Sequence, residues 1–310
     1  MAKINPIEAL QNANATNNNI DMLYRGMKKY FLYFEDNGKE AFYKKLIVEL
    51  FPEEKGNVYI DTTSTGKSDL TKKYFNNQEK YTNTSDQKFI FILDKDFDDK
   101  RLFLECKNLF KKTFGEIKTH NNFLVLNYYS IENYFLKNKE IIAEACFVAF
   151  GIDEQFLLDH FEKIQNLLIE VSKIIYISNV IDLENKGGVA RFIDYLNICL
   201  KDQEIINVEK EYKKNFEERK NIIFKDKKCK KNFSYDNVKK IVLELFDNEK
   251  DIIGKELMLS ILKIIKIKYD CREVNKDLFF RELLTKTLPL KDVALKELKE
   301  ELSIIFKSRV

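Results

Sequence analysis

Long apolar runs and paired cysteines are both missing from this sequence of 310 residues. No stretch of about 18 or more uncharged apolar residues occurs, so we expect no transmembrane helix. The opening residues, Met1 to Pro6, contain no apolar segment of the kind found in signal peptides. The five cysteines are scattered, without a CxxC pair or a zinc-binding spacing, and free thiols in a reducing compartment are expected. The sequence therefore predicts a cytoplasmic protein with no membrane partner.

Histidine and net charge are also scarce, whereas apolar bulk is abundant. Only His120 and His160 are available for imidazole-based catalysis. His120 is interpreted as a surface residue, and a structural role is favoured for His160. The 53 basic and 50 acidic residues leave a net charge of +3, so the overall charge does not indicate a nucleic-acid partner. The chain is 45% hydrophobic, with 25 Phe and 15 Tyr. This composition supports one large domain or two modest ones.

Short apolar runs alternate with helical patterns in the first half of the chain. These runs are rich in aromatic and β-branched residues, which indicates buried strands, and they cover residues 30–34, 58–60, 89–93 and 123–126. Helical spacing follows the first three runs, at about 38–50, 69–75 and 101–114. We therefore predict a parallel sheet with helices on both faces.

Helical patterns dominate beyond about residue 140. They cover residues 140–150, 154–175, 189–200, 205–216, 235–246, 254–269 and 278–306, with an interruption at Pro289. Residues 174–177 have a strand as the alternative, because they form a short apolar run. We divide the chain into a flexible lead-in at 1–20, an α/β domain at 21–140 and a helical domain at 141–310. The helical domain is expected to serve regulation, dimerisation or partner docking.

Carboxylates directly follow two of the predicted strands. Glu35 comes after the first strand, and Asp94, Asp96 and Asp98 alternate after the third. Ligands of open α/β folds bind at the carboxyl ends of the strands, and carboxylate oxygens suit Mg²⁺ or Mn²⁺. Pairs of such ions about 4 Å apart cleave phosphodiester bonds in many enzymes. The alternative is that each acid only caps the helix that follows it.

These acids and two further segments resemble a known family. Tyr33-Phe34-Glu35, with Glu40 after it, and Ile92-Leu93-Asp94-Lys95-Asp96 resemble a Toprim domain. Ser130-Ile131-Glu132-Asn133-Tyr134 and Ile253-Gly254-Lys255 extend the resemblance to the DUF4435 group of Toprim-like proteins, which are related to OLD nucleases. Some members of this group are the effector nuclease of the PARIS anti-phage system, which works with an ABC-type ATPase.

The resemblance implies an α/β Toprim-like parallel sheet flanked by helices, followed by a mostly α-helical C-terminal domain. It implies Glu35, Asp94 and Asp96 as catalytic metal ligands for Mg²⁺ or Mn²⁺, with Glu132 as a further catalytic acid. The implied function is cleavage of tRNA, other RNA or DNA by a toxic defence effector that an ABC-type ATPase partner holds in check. A homodimer is compatible with it. For Glu132 the alternative is an acid stabilised at a helix N-terminus.

The sequence departs from the family directly after Glu35. The family has Glu-Gly at this point, whereas here Asp36-Asn37-Gly38 follows, so the glycine is displaced. The role of Glu40 is therefore left open.

Two groups of lysines are candidates for contacts with nucleic-acid phosphates. Thr65-Gly66-Lys67-Ser68 resembles part of a P-loop, but Asp61 stands where that motif needs a glycine. A polar turn is predicted instead, with Lys67 kept as a phosphate contact. The second group is a basic cluster of four lysines, Lys227, Lys228, Lys230 and Lys231. A solvated loop is the alternative for this cluster.

Two other functions remain open from the sequence. The first is a catalytically silent Toprim scaffold that serves as the binding subunit of a larger nucleic-acid-processing complex. Binding of Mg²⁺ or Mn²⁺ by the purified chain distinguishes this alternative from a nuclease. The second is primase or topoisomerase chemistry, for which the sequence offers no zinc module and no evident strand-breakage domain.

Overall fold

The computed structural model describes residues 28–84, 86–96, 120–181, 235–252, 254 and 276–307. The chain forms two compact units. The first contains the described residues up to Leu93 together with residues 121–124, and the second contains the described residues from Asp94 to Lys307 apart from 121–124. The predicted lead-in at 1–20 lies outside the described residues, and the predicted division at residue 140 stays a prediction.

The first unit is built on a four-stranded sheet. Its elements are β1 (Tyr30–Phe34), α1 (Glu40–Leu50), β2 (Val58–Asp61), α2 (Lys67–Phe75), β3 (Lys88–Leu93) and β4 (Phe123–Val125). The strand order is β2-β1-β3-β4, and β1 runs parallel to both of its neighbours. The four predicted strands are therefore confirmed, and they form the predicted parallel sheet.

Aromatic side chains fix the two helices on opposite faces of this sheet. On one face Tyr33 of β1 stacks on Phe91 of β3, with the ring centroids 4.6 Å apart. Tyr74 of α2 meets Phe91 edge-on at 5.2 Å. Because successive side chains of a strand point to opposite faces, Phe34 stacks on Tyr43 of α1 at 3.8 Å. Helices thus cover both faces of β1, as the alternating pattern predicts.

The second unit is helical in most of its described residues. It contains a 3-10 turn (Ile131–Tyr134), α3 (Lys139–Phe150), α4 (Glu154–Ile181), α5 (Tyr235–Leu245), α6 (Lys276–Thr287), α7 (Lys291–Ala294) and α8 (Lys296–Lys307). Residues 174–177 lie inside α4, so the strand alternative for them is wrong. The helices predicted at 101–114, 189–200 and 205–216, and all of 254–269 beyond Gly254, lie outside the described residues. Within the described residues, no helix combines the length and apolarity that a bilayer span requires.

Helix packing in this unit buries one cysteine. Helix α3 packs against α4 and α6, and Phe150 stacks on Phe279 with the ring centroids 5.7 Å apart. Lys286 of α6 pairs with Glu144 of α3. Cys146 lies inside this packing as a free thiol, and burial raises its pKa to about 12. Cys146 is therefore a core residue with an inert thiol.

Acidic side chains of α8 hold the segment that precedes α3. The Glu301 carboxylate accepts the Asn127 N–H at 3.0 Å and the Tyr134 hydroxyl at 2.8 Å. Glu297 accepts the Tyr128 hydroxyl at 2.5 Å. Burial, together with the bond to Glu297, raises the pKa of Tyr128 to about 12, so this hydroxyl stays a donor at neutral pH. Residues 127–134 are therefore anchored from the C-terminal helix.

Candidate acidic site

Glu35 lies in the first unit, in the turn between β1 and α1. It is half-buried, and Glu40 is the exposed first residue of α1. The next residue, Asp36, is bound to α1, because its Oδ2 accepts the Tyr43 hydroxyl at 2.5 Å and the Lys39 ammonium at 3.1 Å. Gly38, the first glycine after Glu35, has a φ of +78°. It serves the turn into α1, since few other residues adopt this conformation readily.

The other predicted acids belong to the second unit, and two of them form the acidic loop, defined here as Asp94, Lys95 and Asp96. This loop directly follows β3. The Lys95 N–H points to the Tyr128 carbonyl at 3.4 Å, and the Asp96 N–H donates to the Tyr129 carbonyl at 2.9 Å. Asp96 has a φ of +48°, a left-handed conformation that Asp tolerates better than most residues. The backbone of the loop is therefore held against residues 128–129 in an uncommon conformation.

The Asp94 carboxylate caps the 3-10 turn that carries Glu132. Its Oδ1 accepts the Ile131 N–H at 2.9 Å, and Ile131 is the first residue of that turn. Glu132 follows directly and is buried. A carboxylate at the N-terminal end of a turn is electrostatically favourable. The structure thus brings Asp94 to the motif with Glu132. The alternative, in which Asp94 caps the helix that follows it, concerns the helix predicted at 101–114, outside the described residues.

A third segment, the 247–252 turn (residues 247–252), joins the same assembly. The Tyr129 N–H donates to the Lys250 carbonyl at 2.6 Å, and the Asn133 side-chain amide donates to the Ile252 carbonyl at 2.7 Å. A Cβ on Gly254 would lie 2.3 Å from Asn133 Oδ1. Gly254 is therefore a neighbour of the motif at 130–134, and its close contact with Asn133 favours a residue without a Cβ at this position.

A buried ion pair connects the 247–252 turn to the acidic loop. Lys95 Nζ lies 3.1 Å from Asp251 Oδ1, and the Asp251 side chain is 0% exposed. Asp251 Oδ2 accepts the Asp247 N–H at 2.7 Å. Sequence reasoning missed Asp251, because the two partners are 156 residues apart and no spacing connects them.

The turn is shaped by Asp247. Its Oδ1 accepts the N–H groups of Glu249 at 2.9 Å and of Lys250 at 3.1 Å. Burial alone would raise the pKa of the Asp247 carboxyl, but these two bonds and the Lys250 charge hold the pKa below its ordinary value. An ionised Asp247 therefore fixes the backbone that presents the Lys250 carbonyl and Asp251.

The donor chemistry of the acidic loop fits a hard divalent cation. Asp94 and Asp96 offer carboxylate oxygens, the ligands that Mg²⁺ and Mn²⁺ prefer. A carboxylate has about four acceptor positions on its two oxygens, and the Ile131 N–H occupies one of them at Asp94. In the part of the chain that the structure describes, no three Asp, Glu, His or Cys side chains form a group that could hold a metal ion. Metal binding is therefore a proposal based on donor type.

The predicted phosphate contacts have different outcomes. Lys67 is the first residue of α2 and is buried, and Gly66 before it has a φ of +127°. Asp61 accepts the Thr63 N–H at 2.9 Å and the Lys73 ammonium at 2.9 Å, so it closes a polar turn. Asp98 and the four lysines of the basic cluster, Lys227, Lys228, Lys230 and Lys231, lie outside the described residues.

No protein-family model, curated protein or solved structure matches this chain. The resemblance to Toprim proteins therefore rests on the sequence motifs alone. The architecture that the structure shows is a four-stranded parallel sheet with flanking helices and a helical C-terminal region.

Proposed function

We propose that this protein is a divalent-metal-dependent nuclease that hydrolyses phosphodiester bonds in RNA or DNA. The observation that carries the proposal is the acidic loop, in which Asp94 and Asp96 directly follow a strand of a parallel sheet. Ligand sites of open α/β folds lie at the carboxyl ends of such strands. Carboxylates at this position have the chemistry that a divalent cation needs.

Asp94 and Asp96 are the proposed ion-binding residues, and Glu35 is the third ligand predicted from the sequence. Bound divalent ions supply Lewis-acid stabilisation of the phosphate and make water a better nucleophile. The chain itself orients the acids. The Ile131 N–H fixes one oxygen of Asp94, and the Tyr129 carbonyl fixes the backbone of Asp96. Glu132 is proposed as a further acid on the turn that Asp94 caps.

The biological role that we propose comes from the family resemblance. In this role the protein is a toxic effector of anti-phage defence, and an ABC-type ATPase partner controls its release. What supports this role is the set of motifs around Glu35, Asp94, Glu132 and Gly254.

One observation favours a second candidate, a catalytically silent binding subunit. The Asp94 carboxylate has a structural task, since it caps the 3-10 turn at Ile131. A purely structural Asp94 would be retained in a protein that binds no metal. The nuclease needs the negative charge of Asp94 to bind a metal ion. The binding subunit needs only its hydrogen-bond acceptor for the Ile131 N–H.

Conservative variants test the nuclease directly. The full chain is incubated with plasmid DNA and total tRNA in Mg²⁺, Mn²⁺ or EDTA, beside Asp94→Asn and Glu35→Gln. Asp94→Asn keeps an acceptor for the Ile131 N–H but removes the charge, so we expect cleavage to fall about 100-fold or more, the scale of a lost essential catalytic group, while the melting temperature changes little. Asp292→Asn is the matched control, because it removes an exposed ion pair with Lys299, and it should keep cleavage.

Two results would reject the nuclease. The first is cleavage that is equal in the wild type, Asp94→Asn and Glu35→Gln. The second is a wild-type chain that neither cleaves with its ATPase partner present nor binds Mn²⁺, which would establish the silent binding subunit.

A further inference from the structure

We infer that the 247–252 turn is a positioning element for the acidic loop, and that Asp251 acts through Lys95 to set the orientation of Asp94 and Asp96. The consequence for metal binding rests on the proposed function. The contacts between the turn and the loop do not depend on it.

The Lys95–Asp251 pair is the first connection. Asp251 is fully buried and the Lys95 side chain is 15% exposed, so the pair lies largely out of water. Buried charges are stable only when they are paired and hydrogen-bonded. Asp251 meets this condition, because one oxygen binds Lys95 and the other accepts the Asp247 N–H. Lys95 stands between Asp94 and Asp96, so its position constrains both acids.

Tyr129 provides the second connection through its backbone. Its carbonyl accepts the Asp96 N–H at 2.9 Å, and its N–H donates to the Lys250 carbonyl at 2.6 Å. One peptide segment therefore lies between the loop and the turn and bonds to both. The loop is thus connected to the turn by a side-chain route through Lys95 and by a backbone route through Tyr129.

The conformation of Asp96 explains why such positioning is needed. Its φ of +48° belongs to a region that is unfavourable for a non-glycine residue and persists when the surroundings impose it. Asp251 and the Tyr129 backbone are surroundings of this kind. Without the charge of Asp251, the ion pair with Lys95 is lost, and the loop keeps only its bonds to residues 128–131 to hold this conformation. The turn follows α5 directly, so a displacement of α5 would reach the acids by the same route.

Asp251→Asn in the full chain tests the inference with two readouts. The first is amide hydrogen exchange in peptides that cover residues 94–96 and 129–131, which we expect to accelerate about tenfold. The second is Mn²⁺ binding followed by electron paramagnetic resonance, with an apparent Kd about tenfold higher, the lower end of effects known for residues behind metal ligands. Asp292→Asn is the matched control, because it removes the exposed ion pair with Lys299, and it should change neither readout.

The outcomes separate this inference from the proposed function. Unchanged exchange in Asp251→Asn overturns the positioning role, even when the wild type binds Mn²⁺. Faster exchange in a chain that binds no Mn²⁺ supports the positioning role and removes the metal-dependent function. Should Asp251→Asn fail to fold, the double variant Lys95→Gln with Asp251→Asn gives the same test, because it removes both charges of the buried pair and leaves neither without its partner. Unchanged exchange in the folded double variant overturns the inference.

Discussion

Single carboxylates in this protein hold backbone segments by accepting N–H groups. Asp94 binds the Ile131 N–H, Asp247 binds two N–H groups of its own turn, and Asp61 binds the Thr63 N–H. At Asp61 and Asp247 these bonds help to hold the pKa below its ordinary value, because a carboxylate accepts hydrogen bonds more strongly than a carboxylic acid does. The charge state of individual acids is therefore part of the folded structure.

The contribution of an ionised, hydrogen-bonded carboxylate to stability can be measured at Asp61, away from the acidic loop. Burial alone would raise the pKa of Asp61, but the Thr63 hydroxyl and N–H and the Lys73 ammonium outweigh it and hold the pKa below the ordinary value of 3.8. A lowered pKa stabilises the fold above the ordinary pKa, and this stabilisation disappears as the pH falls through the folded-state pKa. We expect Asp61→Asn to lower the free energy of unfolding at pH 7 by about 1 kcal/mol, a value discounted for partial exposure.

Urea unfolding at pH 7, 5 and 3 checks this prediction. The difference between the wild type and Asp61→Asn should be the same at pH 7 and 5 and smaller at pH 3. Asp86→Asn, at an exposed acid before β3, is the control and should show little difference at any pH. A loss of unfolding free energy in Asp61→Asn that is larger at pH 3 than at pH 7 would contradict this prediction.

At the scale of elements, the strands could be predicted because their signal is local. Residues 30–34 and 89–93 are runs of aromatic and β-branched residues, and such runs form buried strands in a parallel sheet. The strand alternative at 174–177 was wrong because the signal of so short an apolar run is ambiguous. Such a run is also compatible with part of a long helix. The run lies inside α4, which extends to Ile181. The end of the helix was the deciding property, because the predicted helix stopped at residue 175 and α4 continues to Ile181.

Contacts between elements had no such local signal. Sequence motifs drew attention to Ser130–Tyr134 and to Gly254, but they did not show that Asn133 contacts Gly254. Lys95 and Asp251 are ordinary charged residues in the sequence, and their pairing depends on how the chain returns after more than 150 residues. The residues of the acidic loop were thus predictable, whereas the residues that hold it were not.

Gly254→Ala tests the close contact between these elements. The added Cβ would lie 2.3 Å from Asn133 Oδ1 and 3.1 Å from Leu136 Cδ1. Asn133 must then move and lose its bond to the Ile252 carbonyl, so we expect a loss of about 2 kcal/mol in the free energy of unfolding, typical of overpacking. Gly56→Ala is the matched control, because no atom lies within 4 Å of its added Cβ. Equal stabilities of the two variants in a denaturant titration would show that the contact is not tight.

At the scale of the whole molecule, the predicted site residues are divided between the two units. Glu35 belongs to the first unit, and Asp94, Asp96 and Glu132 belong to the second. The acidic loop begins where the first unit ends along the chain, directly after Leu93. Its supporting contacts come from residues 128–133 and 247–252 of the second unit. The helical region is therefore directly involved in holding the proposed ion-binding residues.

Metal binding should consequently stabilise the whole folded chain. An ion that binds only the native state at about ten times its Kd adds about 1.4 kcal/mol to the free energy of unfolding. For a chain of this length that corresponds to a rise of about 2 °C in the melting temperature. We expect Mn²⁺ to produce this rise in the wild type and in Asp292→Asn, and not in the double variant Asp94→Asn with Asp96→Asn. Calorimetry with and without EDTA measures it independently of any cleavage. An equal rise in the double variant would place the ion elsewhere in the molecule and remove the acidic loop from the proposed site.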